Sequence, residues 1–533
     1  MQKRSNYINY EVNVSLNAFE PSFDELLEQL KSKLPEPLFA KVSGKFLALQ
    51  YAELKIQVLE ERLRLKLIQK YGPGSEKLSD KQLELLECEP GVSTVEVQGE
   101  SEREPLPGRP EEKRVRHPGR QTLPAELLRV ERVIACTSEQ RICAGCGQET
   151  AVIGHEQSEQ LDVEPAKYYV VVTKREKRAC KNCEERGVLA APLPPRIIEK
   201  SLVSDRVVID TVVSKYADHC PLYRQSAMLE RDSGLELSRQ TLDGWVMRVG
   251  ELLVPLAEAL RRELLRGTYL QADETPVGVQ LHDGSGHNHL AYLWQYGRPH
   301  GAVVFDFRMG RGREGPKRFL EQFDGLLQSD GYAAYDSVGG PKMVHAVCWS
   351  HSRRKFVEAV KLHPGDRAAL RIVAHINALF AVDEEARTAK MDHAARHALR
   401  GKKAPAILAE IKAEITAAHS IALPASALGK ASNYTLALWQ KLTRFLEYPE
   451  LELSNNFAEN SMRPVAVGRK NWIHIGSQQA GPKVAAILSL VETCRRINIP
   501  VREYLAAVLP GLADVAIQQL ALLTPTTWSA HNF

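Results

Sequence analysis

The chain lacks any apolar run long enough to cross a membrane. Val484–Val491 is typical of its longest stretches, and a span needs ~18 such residues. No apolar core follows Met1–Asn6 either, so the start of the chain does not read as a signal peptide. Together these absences argue against a membrane partner and for the cytoplasm. Charge of one sign is also scarce: the net balance is only +4, so any nucleic-acid footprint must come from local patches. Cysteine is thin, at nine in 533 residues, and an odd number argues against a disulfide framework. What remains is the composition of a soluble globular protein, 44% hydrophobic and 26% charged, at a length that predicts three or more domains.

Four of the cysteines stand in two tight pairs, Cys143-Ala144-Gly145-Cys146 and Cys180-Lys181-Asn182-Cys183. Two such knuckles supply four soft thiolates, the donor set of a closed tetrahedral structural Zn²⁺ site. The interval between them exceeds the ~15–20 residues of common zinc ribbons. It has room for a hairpin, and Lys167–Lys174 is strand-like. A zinc-binding module is therefore expected over 121–199.

Before it lies an N-terminal helical, zipper-like region, 1–88. From Phe46 a stripe runs through Leu47, Tyr51, Leu54, Val58, Leu65 and Ile68 at alternating steps of four and three, with Glu61 the one polar exception. That is coiled-coil spacing and a possible means of homo-oligomer formation. Leu49, Ile56, Leu59 and Leu63 widen the stripe, which suits packing inside a bundle equally well. Residues 89–120, rich in Pro, Gly, Glu and Arg, read as a flexible linker with a basic end at Lys113–Arg120. Residues 200–265 read as a helical, DNA-binding-like region. In it Ser238 is an N-cap before either a recognition helix or a helix packed on the core.

From Thr268 the periodicity switches to strand. The predicted order is strand (Thr268–Gln280), hairpin (His289–Tyr296 and Ala302–Phe307), short helix (Pro316–Phe323), strand (Gly325–Ser329) and strand (Met343–Cys348). This is the order of a ribonuclease-H-like fold, with its first part over 266–360. A helical insertion over 361–450, broken at Gly401–Pro405, precedes a second part over 451–500 and a C-terminal region, 501–533. The fold class is thus multidomain α/β. Asp273 lies in the first strand, Asp330 directly after the fourth, and Glu459 in a helix capped by Ser454. Two strand-borne aspartates and a helical glutamate suit two hard divalent ions, Mg²⁺ or Mn²⁺, acting on a phosphodiester. Downstream, Arg463, Arg469, Lys470 and Trp472 interleave cations with an aromatic, a composition suited to phosphate contact and base stacking.

These residues resemble the large transposase of the insertion-sequence-66 family, a DDE transposase. The resemblance rests on Ala272-Asp273-Glu274-Thr275-Pro276, Asp330-Gly331-Tyr332, Cys348-Trp349-Ser350-His351-Ser352-Arg353-Arg354, Asn455-Asn456 through Glu459 to Arg463-Pro464, and Gly468-Arg469-Lys470-Asn471-Trp472. It implies metal-dependent cleavage at the element's ends and joining of a 3′-hydroxyl to target DNA, with Asp273, Asp330 and Glu459 as the triad. It adds Arg353 and Arg354 to the DNA-contacting set, gives Cys348 and His351 a site-shaping role, and allows accessory proteins from the same element. Ser454 departs from the Asp common at that position. Three other readings compete. A resolvase-like endonuclease would share the metal site, and a zinc-containing DNA-binding regulator would not cut. A tyrosine recombinase would use His351-x-x-Arg354 with Tyr434, Tyr448 or Tyr504, but would leave the acidic motifs unexplained.

Overall fold

A computed structural model of the protein describes residues 30–31, 33–71, 167–179, 188–281 and 286–532, with isolated positions between 129 and 155. The four paired cysteines and the 89–120 stretch lie outside the described residues. So do the side chains of Phe46, Leu47, Leu54, Leu65 and Ile68.

In chain order the elements begin with helix α1 (Glu36–Tyr71) and the paired strands β1 (Lys177–Ala179) and β2 (Val188–Ala190). Helices α2 (Asp205–Tyr216), α3 (Leu222–Ser233) and α4 (Arg239–Leu265) lead to strands β3 (Tyr269–Val279), β4 (His289–Gly297) and β5 (Val303–Arg308). Helix α5 (Glu314–Leu320) and strands β6 (Leu326–Ser329) and β7 (Val344–Val347) follow. Next come helices α6 (Trp349–Leu362), α7 (Arg367–Thr388), α8 (His393–Ile421), α9 (Ala427–Ala437) and α10 (Trp439–Thr443). Helix α11 (Asn456–Trp472), strand β8 (His474–Ile475) and helices α12 (Ala480–Arg496), α13 (Val501–Val508) and α14 (Pro525–Asn532) complete the chain. No helix among the described residues is long and apolar enough to cross a membrane. Two compact units result: Met1–Gly108 with Trp349–Pro449, and Arg109–Cys348 with Glu450–Phe533.

The second unit is built on a sheet of order β5-β4-β3-β6-β7, with β8 also on β3. β3, β4 and β5 pair antiparallel, whereas β6 and β7 run parallel to β3. Alternation along β3 serves two purposes. Leu270 and Ala272 join one core with Trp294, Tyr296, Phe319 and Leu327, while Gln271 and Asp273 point to the other side. A second core places α4 and α12 against Val277, Leu293 and Phe305. The 27 residues of α4 bury Leu242, Trp245, Val246, Val249, Leu253 and Leu256. Ser238 caps this helix through the Thr241 N–H. A helix with so long a buried face is a packing helix, the second of the two expectations for it.

Helix α12 also closes the sheet edge. The N–H groups of Val303 and Phe305 on β5 donate to Thr493 Oγ1 (3.0 Å) and Ser489 Oγ (2.8 Å), and Thr493 donates back to the Val303 carbonyl at 2.9 Å. A Cβ on Gly481 would stand 2.2 Å from the Phe307 ring, so the helix approaches this closely only because that residue is glycine. Edge groups that would template strand addition are thereby satisfied inside the molecule.

The first unit is helical, and it corrects one expectation. No break occurs at Gly401–Pro405: α8 runs through it with Pro405 inside. Pro405 and Gly401 lie on the exposed face, where the carbonyl left without an N–H meets water. Ala404, Leu408 and Ile411 meanwhile hold the buried face. Glu61, the polar exception in the α1 seam, accepts from His363 Nε2 at 2.9 Å and from the Ala427 N–H at 3.0 Å, so it caps α9 within its own unit. Leu38, Leu49, Tyr51, Ile56, Leu59 and Leu63 of α1 are exposed.

Ser489→Ala and Thr493→Val should each leave a buried β5 backbone group unpaired, at a cost of about 1–3 kcal/mol. Urea unfolding followed by circular dichroism checks this; unchanged midpoints in both variants would contradict it.

Candidate active site

Parallel pairing sets the site before any acid is considered. Gln271 of β3 lies opposite Gln328 of β6. Continuing that register by two residues carries the chain to Asp273 on one side and Asp330 on the other. Both glutamines are buried and bonded to one another: Gln271 Nε2 donates to Gln328 Oε1 at 2.9 Å, and the Tyr269 hydroxyl donates to the same oxygen at 2.6 Å. From this cluster bonds reach across to the segment carrying Glu459. Gln271 Nε2 donates to the Ser454 carbonyl (2.9 Å), Gln328 Nε2 to the Glu452 carbonyl (2.6 Å), and the Ala458 N–H donates to Gln271 Oε1 (3.3 Å).

The helix cap is therefore not the one expected. Ser454 makes no cap: α11 begins after Asn455, which offers it no side-chain cap bond. Gln271, 187 positions earlier in the chain, satisfies a first-turn N–H instead. The Asn455 N–H donates to Cys348 Sγ at 3.3 Å, and the Cys348 N–H donates to the Ser329 carbonyl at 3.0 Å, so Cys348 ties α11 to β6.

Asp330 and Glu459 both stand within electrostatic reach of Asp273. Burial pushes the Asp273 carboxyl up to about 8, helped by the neighbouring charges of Glu274, Asp330 and Glu459. The Glu274 N–H, donating to Asp273 Oδ1 at 2.9 Å, opposes this only in part. Asp330 Oδ1 accepts from the Tyr332 N–H at 2.8 Å, closing the turn after β6. Among the described residues no three His, Cys, Asp or Glu groups close on a common point. The donor chemistry, carboxylate oxygens only, fits a hard divalent cation.

A second line of side chains supports these acids. Glu274, on the opposite face of β3, is buried and held by Arg311 (2.6 and 3.0 Å) and the Tyr335 hydroxyl (2.7 Å). Arg311 in turn lies 4.1 Å from the Tyr332 ring centre, fixing the residue two beyond Asp330. His345 bridges Asp336 (Nδ1 to Oδ1, 2.7 Å) and Ser329 (Nε2 to Oγ, 2.8 Å). Ser329 Oγ also accepts from the Gly331 N–H. Despite its Ser-His-Asp composition this line is no nucleophile, because Ser329 is fully buried. It braces the turn that presents Asp330. No spacing in the sequence marks Gln271, Gln328, Arg311 or His345 for these roles, since each acts on a partner distant in the chain.

The residues expected to touch DNA divide. Arg463 and Lys470 are exposed on α11. Arg469 Nη1 instead donates to Thr275 Oγ1 and the Pro276 carbonyl, both at 2.8 Å. Trp472 packs partly buried against the core, over Gly468. Arg353, Arg354 and His351 stand on α6 of the helical unit, where Arg353 Nε donates to Asn377 Oδ1 at 2.6 Å.

Comparison with known proteins gives this arrangement its context. Residues 200–483, which hold all three acids, match the model of the Transposase IS66 family. The chain belongs to the IS66 transposase family. Residues 140–184 match the zinc-finger binding domain of transposase IS66, a span enclosing all four paired cysteines, which supports zinc binding. Residues 58–132 match Transposase C of IS166 homeodomain, across the stretch read as linker. Three relatives come from Sinorhizobium fredii (strain NBRC 101917 / NGR234), all called uncharacterized proteins. The chain is 34% identical to y4qI over 84% of its own length and 85% of the relative's. It is 33% identical to y4jD over 77% and 82%, and 28% identical to y4hP over 89% and 88%. DNA binding and zinc binding are thus properties of the family's modules.

The Asp273 shift has a consequence for stability. Its folded value of about 8 exceeds the ~3.9 of an unfolded aspartate. Between those limits the folded, metal-free chain holds the extra proton, so stability falls as pH rises through the window. In EDTA, Asp273→Asn should melt close to wild type at pH 4–5 and a few degrees higher above pH 8, at about 2–4 °C per kcal/mol. Equal melting at both ends of the range would contradict this electrostatic picture.

Proposed function

We propose that this chain is the catalytic transposase of a bacterial insertion sequence, cutting DNA at the element's ends and joining the freed 3′-hydroxyl to target DNA. The observation that carries the reading is that Asp330 and Glu459 both act on the Asp273 carboxyl, on segments tied together by one buried glutamine cluster inside the span matched to the family. The sheet supports a ribonuclease-H-like catalytic domain: an antiparallel β3-β4-β5 meander, continued on the other side of β3 by parallel β6 and β7. Asp273, Asp330 and Glu459 would hold two divalent ions, Mg²⁺ or Mn²⁺. Bound there, such ions activate an oxygen nucleophile and stabilise the leaving oxygen of an in-line displacement.

The protein's own groups do the positioning. Gln271 and Gln328 orient the acids on strand and helix together, so that they are presented as a unit. Asp273 holds a proton up to about pH 8 while the site is metal-free. Arg463 and Lys470, exposed on the helix of Glu459, provide phosphate contacts beside the site. Cys143, Cys146, Cys180 and Cys183 take the structural Zn²⁺. The place of action is the cytoplasm.

The test is a cleavage and joining assay on DNA carrying the element's ends, with Mg²⁺ or EDTA. Wild type with Mg²⁺ should give joined product; Asp273→Asn, Asp330→Asn and Glu459→Gln should each lose on the order of 10³-fold or more. Elemental analysis of the same preparations should find zinc, lost in Cys143→Ser. Activity that survives EDTA or Asp273→Asn would overturn the assignment of the acids. Cutting without joining would make the chain a resolvase-like endonuclease, and binding without cutting a regulator.

A further inference from the structure

Beside the helix of Glu459 lies a cleft of about 780 Å³ to which no role has been given. It opens between the end of α2, the β4–β5 turn, α11 and α12, and its size falls in the ~300–1,000 Å³ range of sites for small ligands. Its walls combine two features. The first is aromatic: His300 and Phe457, both lining the cleft, meet edge to face at 4.2 Å, with Arg496 over the Phe457 ring at 5.9 Å.

The second is cationic. Three arginines line the cleft against one carboxylate, Glu492. Arg495 is matched to that carboxylate through two bonds of 2.7 and 2.5 Å. Arg496 is held by the Phe457 and Arg298 carbonyls, each at 3.2 Å, and by Ser461 Oγ. Arg463 remains, with no ion pair or hydrogen bond among the described residues, one helical turn beyond Glu459.

An aromatic wall and an uncommitted cation match two parts of a nucleotide, base and phosphate. We propose that this cleft seats one unstacked nucleotide of the bound DNA strand, its phosphate on Arg463 and its base against Phe457 and His300. The proposal rests on the reading of the chain as a DNA-cutting enzyme. It would let the protein hold a strand distorted beside the acids rather than an intact duplex.

The experiment is photo-crosslinking of the full chain, in EDTA, to a single-stranded oligodeoxynucleotide bearing one 5-iododeoxyuridine, with adducts mapped by mass spectrometry. Adducts should fall on Phe457, His300 or Tyr216. Their yield should drop about tenfold in Phe457→Leu and in Arg463→Ala, the loss expected for one stacked base or phosphate contact. Variants are compared only where circular dichroism melting matches wild type. Adducts confined to other surfaces, or undiminished yield in both variants, would overturn the proposal. So would equal crosslinking by free 5-iododeoxyuridine monophosphate, which would make the cleft a mononucleotide site. Crosslinking retained in a preparation that neither cuts nor joins DNA would leave the cleft standing while the reading of the acids fell.

Discussion

Two buried amides hold together what three separate parts of the chain contribute. Gln271 and Gln328 pair across parallel strands, and the same side chains grip the segment that opens the helix of Glu459. Each bond in such a cluster is worth only about 1 kcal/mol net, yet removing one partner strands the others in a buried setting at about 1–3 kcal/mol each. The geometry is therefore close to all-or-none. Either the helix sits where Glu459 lies within electrostatic reach of Asp273, or several buried polar groups go unpaired.

That rigidity sets up an electrostatic tension. Asp273 is driven up to about 8 by burial and by the acids the cluster brings near it. A neighbouring carboxylate, Glu274, turns to the other face of β3, where Arg311 and Tyr335 receive it, yet its charge still adds to the rise at Asp273. The braces at Ser329–His345–Asp336 and Tyr332–Arg311 keep the turn of Asp330 from relaxing the strain by moving away.

Much of this was legible in the sequence where the signal is local. Apolar alternation marked β3, β4, β5, β6 and β7 to within a residue or two. The pairing of β3 with β6, the strands leading to Asp273 and Asp330, followed from the ribonuclease-H-like order of the runs, in which the first and fourth strands are neighbours. What was not legible depends on distant partners. Ser454 has the chemistry of a cap, but Gln271 supplies the cap from 187 positions away, and no local pattern announces that. Pro405 reads as a breaker, yet tertiary packing on the opposite face carries α8 through it. Glu61 looked like a flaw in a coiled-coil seam because its partners, His363 and Ala427, lie over 300 positions downstream. Arg469 carried the charge of a phosphate ligand, but the nearest acceptors are Thr275 and the Pro276 carbonyl.

On the proposed reading, the glutamine cluster and not the acids alone makes the metal site. The decisive measurement is calorimetric titration of the purified chain with Mn²⁺, comparing wild type with Gln271→Leu. Gln271→Leu should keep its secondary structure but bind the ion about 10–100-fold more weakly, as loss of a supporting side chain does at a metal site. Equal affinity in the two proteins would contradict it, and would mean that the acids find their places without the cluster.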